Sequence, residues 1–182
     1  MKPWVWILIV AGAAIAFGIY YENSSGGDDT GDDTGDGTSV DTTGLANVIA
    51  NGVQTAEGFF APGTTAGGVT YTNGSLSYQN NNPGNIEGSG DAGSSGPYAV
   101  FSSYGAGFSA LVSTVTDDFL QNDSWTLQQA SNYYVNGNPS STAQNSVNYA
   151  GVLAQAISSA IGLSVTPSTT IGAIKSAAGA AS

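Results

Sequence analysis

The sequence predicts a mostly α-helical α+β domain with one small β-hairpin or sheet, preceded by an N-terminal transmembrane helix. An apolar stretch without charges covers residues 4–21, and a polar stretch rich in Gly, Asp and Thr follows it. Beyond these, apolar side chains recur mainly at the three- and four-residue steps typical of helices. We therefore divide the 182 residues into an anchor (1–22), a flexible linker (23–43) and one folded domain (44–182).

The N-terminal stretch has the length and the ends of a membrane-spanning helix. About 20 apolar residues cross a bilayer as a helix. Trp4 and Trp6 stand at one end of the stretch and Tyr20 and Tyr21 at the other, as is typical of membrane interfaces. Lys2 favours a cytoplasmic N-terminus by the positive-inside rule. The folded domain is then expected on the non-cytoplasmic side.

A cleaved signal peptide is the alternative for this stretch. The tripeptide AIA at residues 14–16 has the small-x-small pattern at which signal peptides are cut. The apolar stretch continues past that point and ends in aromatic side chains, which favours the anchor.

The linker is acidic and has little to bury. Residues 26–38 repeat Gly, Asp and Thr and carry much of the formal charge of −11. Such a segment is expected to be a solvated spacer with a reach on the order of 25 Å. A calcium loop is the alternative, but Thr43 occupies the position where a bidentate carboxylate is needed.

Composition excludes several classes of function. The chain has no Cys and no His, which removes disulfides, thiol nucleophiles, imidazole bases and the usual zinc and haem ligands. Its two basic residues, Lys2 and Lys175, lie near opposite ends, so nucleic acid is not an expected partner. Acid–base chemistry is left to carboxylates and tyrosines, and we expect no metal and no cofactor.

Apolar spacing and turn residues predict the elements of the folded domain. Leu45, Ile49 and Val53 lie on one face of a first helix that begins near Thr43 and ends at residues 57–58. The remaining predicted elements are a hairpin of residues 69–72 and 76–79 around Asn73-Gly74, a short strand at 98–101, and helices at 106–119, 127–134, 146–161 and after 169–170.

Two polar features of this domain are candidates for chemistry. Glu57 falls at the end of the first helix, where the helix dipole disfavours a carboxylate, and Phe59 and Phe60 follow it. Its pKa is therefore expected to be raised, which suits a general acid. Residues 80–87 are rich in Asn, and their amides suit sugar hydroxyls and N-acetyl groups; a purely structural turn is the alternative.

An ordered series of short motifs resembles one known family. In this order the motifs are similar to those of lysozyme-fold peptidoglycan hydrolases and lytic transglycosylases, especially the compact forms of bacteriophages and bacteria. The chain departs from the family at Gln79, where relatives commonly have an arginine. The motifs are AEGF at 56–59, NNPGNI at 81–86, YAVF at 98–101, GFSAL at 107–111, TL at 126–127, NY at 148–149 and IGL at 161–163.

The resemblance implies a catalytic role for Glu57 in cleaving the bond between N-acetylmuramic acid and N-acetylglucosamine. One carboxylate suffices if the 6-hydroxyl of muramic acid closes the product ring, as in a lytic transglycosylase. If water is the acceptor, a second carboxylate is needed, and Glu87 and Asp91 are the candidates. The substrate-binding residues that we infer are Asn81, Asn82, Asn85, Tyr98 and Tyr149.

The expected protein is thus a membrane-anchored, peptidoglycan-degrading enzyme with glycan strands as substrate. Its lipid partner is contacted through residues 4–21. The layout suits the membrane of a lipid-containing phage virion, where it would serve genome entry alongside other virion proteins, or a bacterial envelope. The alternatives are a non-catalytic glycan-binding or structural virion protein that keeps the fold, and an unrelated adhesive surface protein.

Overall fold

The computed structural model describes residues 42–180, so the predicted anchor and the linker up to residue 41 lie outside the described residues. None of the helices between residues 42 and 180 is both long and apolar enough to cross a membrane. The elements are α1 (Thr42–Ala56), β1 (Thr64–Ala66), β2 (Val69–Tyr71), α2 (Leu76–Gln79), β3 (Ser94–Ser95), β4 (Tyr98–Ala99), α3 (Tyr104–Asp118), α4 (Leu127–Asn136), α5 (Gln144–Ile161) and α6 (Ile171–Ala180).

The core is helical, which confirms the prediction of a mostly α domain with a small β component. α5 packs along both α1 and α4, and α3 covers another side of α1. The apolar faces meet in one cluster that includes Ile49 and Val53 of α1, Leu111 of α3 and Leu153 of α5, all of them fully buried. These residues recur at helical spacing, so the same pattern that predicts the helices also builds the core.

Local signals in the sequence explain where the helices begin and end. Thr126 and Gln129 form a reciprocal capping box at the start of α4, and Gly137 ends that helix in the left-handed conformation. Gly162 ends α5 in the same way, at the predicted position. The predicted helices are all present, with ends that differ by a few residues.

The predicted hairpin around Asn73-Gly74 is wrong. β2 pairs instead with β1, and the turn between them is Gly67-Gly68, where both residues have positive φ. Residues 76–79 form the short helix α2, because the Ser75 side chain accepts a hydrogen bond from the Tyr78 N–H and caps it. The Gly67-Gly68 turn thus forms the hairpin in place of Asn73-Gly74. The Ser75 cap starts a helix where the second strand was predicted.

The second sheet is a two-stranded antiparallel pair of β3 and β4. β4 covers the first half of the predicted strand at 98–101. Together with the asparagine-rich residues 80–86, this pair leads the chain towards the start of α3. There the carbonyl oxygen of Asn81 lies so close to Gly107 that no side chain fits between them. The loop is therefore pressed onto the first turns of α3.

Candidate active site

Glu57 lies at the end of α1, and local backbone geometry fixes its position. The Phe59 N–H bonds to the Gln54 carbonyl and the Gly58 N–H to the Thr55 carbonyl, each at 3.2 Å, while Gly58 has φ of 67°. This is the Schellman arrangement that ends helices, with Glu57 at the C-cap. The sequence signal is the Glu-Gly pair, because glycine adopts positive φ without strain.

The carboxyl group of Glu57 points towards the asparagine-rich turn. Asn85 Nδ2 donates a hydrogen bond of 3.0 Å to Glu57 Oε2. Asn85 has φ of 48°, a conformation that asparagine tolerates better than most residues. Two of the residues predicted for one site are thus brought into direct contact.

The other asparagines of the turn hold its shape. Asn82 is fully buried; its amide nitrogen donates to the carbonyls of Ile86 and Ala99, and its oxygen accepts from the Ile86 N–H. Asn81 donates to the Phe101 carbonyl at 3.0 Å. These bonds tie the turn to β4 and to the residues after it, so the side chain of Asn82 is engaged inside the fold and Asn81 is partly so.

Two tyrosines, Tyr149 and the half-buried Tyr134, lie near the Glu57 carboxyl. Tyr149 of α5 is 2% exposed, and its hydroxyl lies beside Glu57 without meeting hydrogen-bond geometry to any described residue. Tyr134 of α4 donates to the Gly84 carbonyl at 2.7 Å, and its ring centroid lies 5.8 Å from that of Tyr149. The pKa of each tyrosine is raised well above its usual value, first by burial and then by the charge of Glu57.

The pKa of Glu57 is raised above its ordinary value, which confirms the expected direction. The main cause is burial, because the carboxyl lies deep among protein atoms although part of the residue reaches solvent. The hydrogen bond from Asn85 lowers the pKa and so opposes the rise, and the Tyr149 hydroxyl beside the carboxyl acts in the same direction. The surround of the carboxyl thus includes Asn85, Tyr134 and Tyr149, which come from segments distant in the sequence, in addition to the neighbouring Phe59 and Phe60 that the sequence suggests.

Neither candidate second carboxylate is among the groups that shift the pKa of Glu57. Asp91 is exposed and accepts hydrogen bonds from the N–H and hydroxyl of Ser102, at 2.8 and 2.6 Å, which lower its pKa. Glu87 is exposed, and its backbone forms an isolated antiparallel β-bridge with Tyr98 of β4. The carboxylate that sequence reasoning missed is Asp118, which raises the pKa of Tyr134.

Tyr98 lies in β4, paired with Ser95 of β3, and is half-buried. No contact between its side chain and Glu57 is present in the described part of the chain. Of the predicted set, the structure therefore gathers Glu57, Asn85 and Tyr149 around one carboxyl group. It places Asn81, Asn82 and Tyr98 in the framework next to it.

The structure brings a row of aromatic side chains together beside α1, and it includes Tyr78 and Tyr104, which the sequence offers only among several tyrosines that could line a sugar groove. Phe59 contacts the rings of Tyr78 and Tyr104, and Tyr104 stacks on Phe108. We call these four residues the aromatic row. The sequence does not show that these rings are neighbours, because they come together only when α2 and α3 pack near the end of α1.

Comparisons with known proteins give no relative for this chain. It matches no protein-family model, no curated protein and no solved structure.

Proposed function

We propose that this protein is a peptidoglycan-degrading glycosidase that uses Glu57 as its general acid. The observation that carries the proposal is the environment of this carboxyl group. It is buried enough to raise its pKa, held by Asn85 and flanked by Tyr149. A carboxylic acid that keeps its proton to a higher pH than usual and is fixed in orientation suits the general acid of glycosidic bond cleavage.

A lytic transglycosylase reaction accounts for a site built on one carboxyl group. Glu57 donates its proton to the bridging oxygen as the bond from the anomeric carbon of N-acetylmuramic acid breaks. The 6-hydroxyl of the same sugar then bonds to the anomeric carbon and returns its proton to the Glu57 carboxylate. Every proton is accounted for, and neither water nor a second carboxylate takes part.

The setting that we propose is a membrane surface facing peptidoglycan. Residues 4–21 would anchor the chain, and the acidic linker would let the domain reach glycan strands. A lipid-containing phage virion and a bacterial envelope both meet this description.

A non-catalytic glycan-binding or structural virion protein is the second candidate, and one observation favours it. Among residues 42–180 the only basic side chain is Lys175, and it is bound to Asp123 at 2.8 Å. The described part of the chain thus offers no unpaired cation near Glu57 to bind the carboxylates of the substrate. This candidate predicts binding of peptidoglycan without cleavage.

Digestion of purified peptidoglycan by the full-length chain separates the two. The proposal expects release of soluble fragments by the wild type and a loss of at least about a hundredfold in Glu57→Gln. Glu87→Gln is the matched control, an exposed carboxylate whose loss should cost little if the muramic hydroxyl is the acceptor. A wild type that binds but releases nothing would support the second candidate.

A further inference from the structure

The aromatic row presents ring surface to solvent next to the proposed site. Ring centroids are 5.2 Å apart for Phe59 and Tyr78, 5.4 Å for Phe59 and Tyr104, and 5.7 Å for Tyr104 and Phe108. Tyr78 and Tyr104 are 36% and 42% exposed, whereas Phe108 packs against the core. The row is therefore fixed at its inner end and open at its outer end.

The exposed rings are held in place before any ligand binds. Tyr104 donates from its hydroxyl to Gln54 Oε1 at 2.8 Å. The Tyr78 ring lies over Gly74, where a β-carbon would come within 2.7 Å of it. Because side-chain ordering costs free energy on binding, fixed rings bind a partner more strongly than mobile ones.

The row also adjoins the segment that carries the candidate acid. Gln54 precedes Glu57 by less than one helical turn, and Phe59 follows it by two residues. The backbone N–H of Phe59 bonds to the Gln54 carbonyl, so the same helix end positions both Glu57 and the row. A ligand lying along the row would be continuous with the proposed site.

Charge identifies the kind of ligand that suits this surface. The aromatic row contains no charged side chain, and its polar groups are the tyrosine hydroxyls and neighbouring amides. Residues 42–180 carry one lysine, already paired with Asp123, against the acids Glu57, Glu87, Asp91, Asp117, Asp118 and Asp123. An anionic ligand is therefore repelled, whereas the apolar faces of uncharged sugar rings match the aromatic faces.

We propose that the aromatic row binds the uncharged sugar rings of a glycan strand and makes no use of stem-peptide carboxylates. The proposal rests on the proposed function, since it names the part of peptidoglycan that the domain recognises. Stem peptides then contribute only repulsion. Screening by salt should accordingly strengthen binding to intact peptidoglycan, the reverse of what a basic binding surface gives.

Binding is tested with the full-length chain carrying Glu57→Gln, so that cleavage does not interfere. Co-sedimentation uses two insoluble ligands, chitin and intact peptidoglycan, and glycan strands freed of their stem peptides by an amidase serve as soluble competitors. We expect binding to chitin that changes little with salt, and binding to intact peptidoglycan that rises between about 20 mM and 300 mM salt. The freed strands should compete for binding, and should compete better at higher salt, because the amidase leaves a carboxylate on each muramic acid. The salt series needs no substitution in the row.

Substitutions then assign the binding to the row. Tyr78→Ala and Tyr104→Ala should each weaken binding about three- to tenfold, whereas Tyr104→Phe keeps the ring and most of the affinity. Tyr133→Ala is the matched control, because Tyr133 is 38% exposed and pairs with Trp125 instead. It should leave binding unchanged, and circular dichroism checks that each variant is folded.

Three results would overturn the inference. They are equal binding by both alanine variants and their parent, no competition by the glycan strands freed of stem peptides, and weaker binding to intact peptidoglycan at higher salt. Row variants that abolish self-association in sedimentation velocity while glycan binding is intact would likewise assign the surface to a second copy of the chain. A wild type that binds through the row but releases no fragments would contradict the proposed enzyme and leave this inference standing.

Discussion

Asn85 donates a hydrogen bond of 3.0 Å to the carboxylate of Glu57 from a turn that lies 28 residues further along the chain. The bond joins the end of α1 to the asparagine-rich turn, and it favours the charged form of Glu57. Burial favours the neutral form and has the larger effect, so the pKa of Glu57 is raised. The protonation state of the candidate acid is thus set by a balance that single substitutions can shift.

Removing the Asn85 amide should raise the pKa of Glu57. Asn85→Gly tests this, because glycine keeps the positive φ of 48° and loses only the side chain. NMR titration of the Glu57 carboxyl carbon measures the result, and the alkaline limb of the activity profile, where the general acid loses its proton, should move to higher pH with it. Asn81→Gly is the control, with φ of 50° and an amide bonded to Phe101 instead. An unchanged pKa in Asn85→Gly would show that this bond does not act on Glu57.

The two tyrosines near Glu57 should respond differently to loss of their hydroxyl. Tyr134→Phe leaves the Gly84 carbonyl without its 2.7 Å donor and should reduce the free energy of unfolding by about 1–2 kcal/mol. Tyr149→Phe removes a buried hydroxyl that lies beside the Glu57 carboxyl without meeting hydrogen-bond geometry, so it should change the free energy of unfolding by less than about 1 kcal/mol. Urea denaturation measures both. A loss in Tyr149→Phe as large as that in Tyr134→Phe would mean that the Tyr149 hydroxyl is bonded after all.

The pH dependence of stability should differ in sign for two acidic residues. The raised pKa of Glu57 means that the folded state binds more protons than the unfolded state above the ordinary value of 4.5, so this residue costs stability as pH rises. Glu57→Gln should therefore gain stability over wild type at pH 8 relative to pH 4. Asp91 has a lowered pKa, and its stabilisation is present above 3.8 and lost as pH falls. Asp91→Asn should lose more stability at pH 8 than at pH 3, and equal slopes for the two variants would refute this account.

A pair of glycines in α3 tests how tightly the asparagine-rich turn is pressed onto that helix. A β-carbon at Gly107 would collide with the Asn81 carbonyl, so Gly107→Ala should destabilise the domain by about 1–3 kcal/mol. At Gly105 the nearest atom to such a β-carbon is 3.9 Å away, and Gly105→Ala should stabilise the helix by about 0.5–1 kcal/mol. Thermal unfolding compares them. Similar midpoints for the two variants would show that the turn is free to move away.

The helices and the catalytic candidate could be predicted from sequence because their signals are local. Apolar spacing and terminal glycines such as Gly162 set the helices, and the Glu-Gly pair marks the end of α1. The hairpin could not be predicted in the same way, because Gly67-Gly68 and Asn73-Gly74 both suit a turn between strands. Only the structure shows that Ser75 caps a helix over residues 76–79, which leaves Gly67-Gly68 as the hairpin turn. The aromatic row and the Asn85 contact depend on packing between distant segments, which no local pattern records.

Mass spectrometry of the fragments released from purified peptidoglycan tests the central claim most directly. The wild-type chain should release muropeptides that end in 1,6-anhydro-N-acetylmuramic acid, and Glu57→Gln should release none above background. Reducing ends would indicate water as acceptor and a second carboxylate. Absence of fragments from the wild type, or equal release by wild type and Glu57→Gln, would contradict the assignment of Glu57 as a general acid.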